Sequence, residues 1–271
     1  MKLAYPIATP EVRASILGVK GPLVETLRGL AELGYDAIEP FVSDPEKFDV
    51  EAWTGAVQRS GLAVVAVGTG PLVFDDQLSF TSPDENIRRM AIQRAKSCVR
   101  FAARLGAQLN IGKLRGNIDA AQPAISWRWM KEALNAVCAE ATDHRIDVTL
   151  EPQSRGIINN LNSTAAALGF IGELGLPNCR LMLDTFHMAE EREDISAGFR
   201  AAAERQSLLH VHFADTARRV PGDGTIDFAA AVATLRALGY DRAITVEIKQ
   251  EPDAWSAARR AAQQLCPLLS S

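Results

Sequence analysis

The chain has 271 residues, 47% hydrophobic and 23% charged, with a formal net charge of −4. That length allows one large domain or two small ones. The acidic balance argues against a nucleic-acid surface, which needs a basic stripe, and favours a small neutral or polar substrate. No run approaches 18 uncharged apolar residues, and the opening MKLAYPIATPEV lacks the apolar core of a signal peptide. A cytoplasmic protein without a membrane partner is therefore expected.

In chain order, short apolar runs alternate with longer segments of helical period. Strands are predicted at 3–7, 37–42, 63–68, 108–112, 147–152, 180–185, 208–214 and 243–249. Most are apolar on both faces, as in a parallel sheet covered by helices. The first helix is GPLVETLRGLAELG, stopping at Gly34. A second, SPDENIRRMAIQRAKSCVRFAARLG, opens with Ser82 as cap and Pro83 as first helical residue and closes at Gly106. A third, FAAAVATLRALG, begins near Asp227 and ends at Gly239. Each terminal glycine is expected in the left-handed conformation that ends a helix.

Eight such units without a linker predict a single domain over residues 1–271, a (β/α)₈ barrel. The competing fold is an open doubly wound sheet. That fold usually carries a glycine-rich phosphate loop, and VGTGPLVFDD has only two glycines and no Lys-Ser/Thr. The four cysteines are scattered, with no CxxC spacing, and read as small core residues.

A barrel collects its functional residues at the C-terminal strand ends. There the fifth strand offers Glu151 and then Arg155, and the sixth Asp184 and then His187. The seventh offers His212 and Asp215, and the eighth Glu247 and Lys249. Glu151, Asp184, His212 and Glu247 thus come from four consecutive strands at one level. Three acids buried together repel one another unless a cation joins them. An oxygen-rich set with one imidazole and no thiol suits Mn²⁺, Mg²⁺ or Co²⁺. His210 shares a strand face with His212, so the residues alone leave either histidine, or both, as the ligand.

Glu39, ending the second strand, is a candidate substrate contact, with a structural ion pair as the competing role. Lys113 and Arg115 follow the fourth strand beside glycines, placed to hold a carboxylate or phosphate or to lie as solvated charges. Trp127 and Trp129 read as packing or interface residues.

The motifs LEP at 150–152, LDTFHM at 183–188, HFAD…R…PGDGTIDF at 212–228 and VEI at 246–248 resemble the xylose-isomerase-like TIM-barrel superfamily. They are most similar to its sugar isomerases and epimerases, of the ketose 3-epimerase and hydroxypyruvate isomerase type. The resemblance implies that Glu151, Asp184, His212 and Glu247 bind a divalent metal. It selects His212, three residues before Asp215, over His210, which becomes an internal support. It implies that His187 and Arg218 hold substrate oxygens, and that Glu151 and Glu247 form the acid/base pair of an enediolate mechanism. Arg155, Lys113 and Glu39 complete the expected substrate contacts.

One departure is visible. The epimerases commonly follow the first glutamate with Asn-Arg-x-Glu, whereas EPQSRGIINN keeps Arg155 and has Ile157 in place of the second acid. Either the substrate differs in length or oxidation level, or Asn159 or Asn160 is expected to supply the lost contact. The change leaves open a metal-dependent lyase or decarboxylase acting on a 3-oxo sugar acid. A non-catalytic sugar-binding protein or an apurinic-endonuclease-like enzyme fits less well. The latter would need more histidines and more DNA-binding charge. The expected partner is a small sugar or sugar acid, and a homo-oligomer is compatible with such a barrel.

Overall fold

The computed structural model describes residues 1–270. Eight strands alternate with helices. They are β1 (Lys2–Ala8), β2 (Ala37–Phe41), β3 in two pieces (Ala63–Val64 and Ala66–Gly68), β4 (Gln108–Ile111), β5 (Val148–Leu150), β6 (Cys179–Asp184), β7 (Leu208–Phe213) and β8 (Ala243–Val246). Neighbouring strands are parallel, and β1 pairs with both β2 and β8, so the sheet closes on itself. The fold is a (β/α)₈ barrel, as the alternation of the sequence predicts.

The outer ring contains helices at Leu23–Glu32, Val50–Ser60, Glu85–Arg104, Pro123–Asp143, Thr164–Leu174, Ile195–Glu204, Phe228–Ala237 and Ala254–Ser270. Two short helices, Gly70–Asp76 and Thr185–Glu190, are inserted after β3 and β6 at the rim. Apolar strand side chains and the inner helix stripes form one continuous buried core. Cys98, Cys138 and Cys179 are buried in the protein, and all four cysteines are free thiols.

The second predicted helix starts two residues later than its sequence signals. Asp84, not Ser82, is the cap: its carboxylate accepts from Asn86 N, while Ser82 Oγ accepts from Asp84 N. Both residues satisfy amide groups before the first full turn, and the carboxylate lies nearer the positive helix end. Gly34, Gly106 and Gly239 all have positive φ, as expected of residues ending these helices. The predicted third strand is interrupted at Val65, and the fifth and eighth stop short, so Glu151 and Glu247 sit just past the last ladder residues. Among the described residues, no helix is long and apolar enough to cross a membrane.

Candidate metal centre and active site

A cavity of about 340 Å³ opens at the C-terminal mouth of the barrel. Glu151, His187, His212, Arg218 and Glu247 border it. Asp184 pairs with His212 in the β6–β7 register, which brings both to one level. One ligand atom from each of Glu151, Asp184, His212 and Glu247 lies within 4.8 Å of the others.

The orientation of His212 is set from below. Its Nε2 lies 2.9 Å from Glu39 Oε2, and a carboxylate can only accept, so Nε2 carries the hydrogen. Nδ1 then faces Glu247 Oε2 at 3.6 Å and has no hydrogen bond. Glu39 is fully buried, and its other oxygen accepts from Asn110 Nδ2 at 2.7 Å. His210 Nε2 reaches the same Oε2 at 2.9 Å, inside the barrel. Burial alone would raise the Glu39 carboxyl, but the two histidines outweigh it and hold it well below its usual range. Glu39 borders the cavity and, bonded to both histidines and Asn110, underpins His212.

The other acids differ in their surroundings. Burial, and then the charges of Glu247 and Asp184, push Glu151 up to about 8. Burial works the same way on Glu247, but Arg218 and His212 outweigh it and keep this carboxyl low. Arg218 Nη1 lies 2.8 Å from Asp184 Oδ2 and 2.5 Å from Glu247 Oε2. Its Nη2 is 2.9 Å from His187 Nε2. Arg218 can only donate to Nε2, and Nδ1 lies 3.2 Å from the Ser154 amide N and 3.1 Å from Ser154 Oγ. Burial and the Arg218 charge lower the His187 basicity, which agrees with a neutral ring.

Arg218 rides on a strained loop. Ala217 and Arg218 both have φ of 60°, a left-handed conformation costing roughly 1–3 kcal/mol each for non-glycine residues. Asp215 holds this loop. Its Oδ1 accepts from the amides of Thr216, Thr225 and Ile226, and its Oδ2 from those of Gly222 and Gly224.

Three expected contacts fall elsewhere. Arg155 points into solvent with a side chain 80% exposed, pairs with Glu191 and does not border the cavity. Asn159 bonds to the segment at Ile118, and Asn160 is buried against Arg115. Both amides are needed to join the loops after β4 and β5, so neither replaces the missing acid. Lys113 does border the cavity, with Nζ 5.2 Å from the Phe74 ring centroid. Arg115 is neither a solvated charge nor a cavity group. It is fully buried and donates to Gly112 O at 3.0 Å, Glu151 O at 2.7 Å and Asn160 O at 3.1 Å.

Two functional positions had no clear sequence signal. Gln153 Nε2 holds Glu151 Oε2 at 2.6 Å, and its Oε1 is buried without a partner at the cavity wall. Its position two residues past Glu151 was the available clue. Gly112 has no room for a side chain: a Cβ would stand 2.5 Å from Glu151 Oε2.

The xylose isomerase-like TIM barrel family model matches residues 27–265. The chain belongs to that family. It is 31% identical over 219 residues to a ketose 3-epimerase of Arthrobacter globiformis, covering 80% of this chain and 74% of the relative. It is 31% identical over 229 residues to an L-ribulose 3-epimerase of Mesorhizobium japonicum, covering 83% and 75%. A solved L-ribulose 3-epimerase superposes with a TM-score of 0.81 at 25% identity, covering 98% of this chain and 94% of that one. The family member described here is an enzyme of the sugar isomerase and epimerase class.

Proposed function

We propose that the enzyme is a divalent-metal-dependent ketose 3-epimerase, with Glu151, Asp184, His212 and Glu247 as metal ligands. The observation that carries this reading is a set of buried atoms with no partner. Glu151 Oε1, Gln153 Oε1 and His212 Nδ1 are all unsatisfied, and all three residues border the same cavity. Buried polar atoms of this kind cost free energy unless a ligand or ion answers them. The oxygen-and-imidazole donor set fits Mn²⁺, Mg²⁺ or Co²⁺.

A bound divalent ion polarises the ketose carbonyl and neighbouring hydroxyl, which acidifies the C3 proton. Glu151 and Glu247 leave different strands and flank the cavity. One removes the C3 proton from one face and the other returns a proton to the opposite face, which inverts that carbon. General acid/base transfer of this kind contributes ~10²–10⁴-fold. His187 and Arg218 orient the substrate oxygens, and Lys113 stands at the outer wall. The names of curated relatives, among them a ketose, an L-ribulose and a D-psicose 3-epimerase, support this over aldose–ketose isomerisation.

The test is incubation with a ketose panel in D₂O with each metal in turn. The reading predicts deuterium at C3 with formation of the C3 epimer, both abolished by EDTA. Deuterium at C1 alone, or turnover in EDTA, would contradict it.

A further inference from the structure

The barrel has a second opening. At its N-terminal mouth, opposite the metal centre, a cavity of about 250 Å³ lies among the starts of β1, β3, β4, β7 and β8. Lys2, Gln108, His210, Asp241 and Arg242 supply its polar side chains.

Two of these side chains are nearly buried and still have open atoms. His210 is 2% exposed, and its Nε2 directs a hydrogen at Glu39 Oε2, 2.9 Å away. Its Nδ1 makes no hydrogen bond among the described residues. Gln108 is 9% exposed; its Nε2 lies 3.4 Å from Asn110 Oδ1, and its Oε1 has no partner among the described residues. Native structures leave few such groups unanswered. Hydroxyls can answer both, since they donate to an amide oxygen and either donate to or accept from an imidazole nitrogen.

The rim of the same cavity carries charge. Lys2 N donates to Arg242 O at 3.0 Å, and Lys2 stands opposite Ala243 in the β1–β8 register, so the two basic residues are neighbours. Both side chains are exposed, and neither makes a hydrogen bond or ion pair among the described residues. Asp241 offsets only one of the two charges. Adjacent cations without an acid partner suit a carboxylate, whose oxygens accept charge-assisted hydrogen bonds from both.

We propose that the N-terminal mouth is a second binding site, for a small hydroxy acid whose carboxylate lies between Lys2 and Arg242 and whose hydroxyls meet His210 Nδ1 and Gln108 Oε1. The proposal stands apart from the reaction at the metal end and does not depend on the ketose reading.

The test is a titration of the Mg²⁺-loaded enzyme with D-glycerate, followed by amide NMR. Shifts are expected at Lys2, Gln108 and His210. Propionate, which has the same carbon chain without the hydroxyls, is expected to bind about threefold or more weakly. The double substitution Lys2→Gln and Arg242→Gln is expected to weaken D-glycerate about tenfold. Gln108→Leu, which removes the acceptor at similar volume, is expected to narrow the gap between the two acids. Equal binding of the two acids, or undiminished binding of D-glycerate by the double variant, would overturn the proposal. Absence of binding would also overturn it, as would shifts confined to residues around Glu151 and Arg218, which place the acid at the metal end.

Discussion

Glu39 and His212 meet at 2.9 Å on the floor of the cavity, and this one contact decides which imidazole nitrogen faces the acids above. A carboxylate behind a ligating histidine fixes its tautomer and ring orientation, and removing such a partner typically costs 10–100-fold in metal affinity. Glu39→Gln is therefore expected to weaken Mn²⁺ binding by about 10–100-fold. Titration followed by calorimetry measures this, with circular dichroism reporting that the fold is kept. Unchanged affinity in a folded variant would show that His212 does not depend on Glu39.

Gly112 and Glu151 make a second dependence. A methyl group at position 112 would stand 2.5 Å from Glu151 Oε2 and 2.8 Å from Gln153 Nε2. Gly112→Ala must push that carboxylate aside, and a displacement near 1 Å can cost ~10²-fold in rate. The expected result is a large loss of C3 exchange with a comparatively small change in melting temperature. Full exchange in this variant would place Glu151 outside the reaction.

Asp215 gathers five backbone amides into the loop that carries Arg218. An asparagine has one acceptor oxygen where the carboxylate has two, so amides now bonded to Asp215 would lose partners in a buried place. Asp215→Asn is expected to destabilise the protein by ~2–4 kcal/mol, from the penalty of unsatisfied buried donors. Urea denaturation measures the loss. Hydrogen exchange should show lost protection at Gly222, Gly224, Thr225 and Ile226, and protection equal to that of the native loop would contradict this role.

Asp76 lends the outer rim a pH dependence. Partial burial would raise its carboxyl, but hydrogen bonds from Arg13 and Arg94 outweigh it and hold it below 3.8. A lowered folded value means that the stabilisation is complete above about pH 4 and is lost as pH falls through the folded value. Asp76→Asn is expected to lower stability at pH 7 by about 1 kcal/mol or less. Melting curves of both proteins should converge as pH falls through the lowered folded value. A gap that stays constant with pH would show that the charge of Asp76 contributes nothing.

The barrel was legible because each strand and helix carries its own periodic signal. The three acids and the imidazole of the centre were legible because charge is costly where a covered strand ends. Less could be read where a role depends on contacts between loops. Arg155 looks well placed in the sequence, yet its backbone turns it to solvent beside Glu191. Arg115 looks like a surface charge, yet it is buried and ties three carbonyls together. The demand for a glycine at 112 arises from Glu151, 39 residues later, which no local pattern records.

Proton transfer at C3 of a ketose is assigned to the two glutamates. Its most direct test is the rate of solvent deuterium incorporation at that carbon by Mn²⁺-loaded wild-type enzyme and by Glu247→Gln. Exchange is expected in the wild type, with a loss of ~10²–10⁴-fold in the variant. Exchange at the wild-type rate in Glu247→Gln would contradict it.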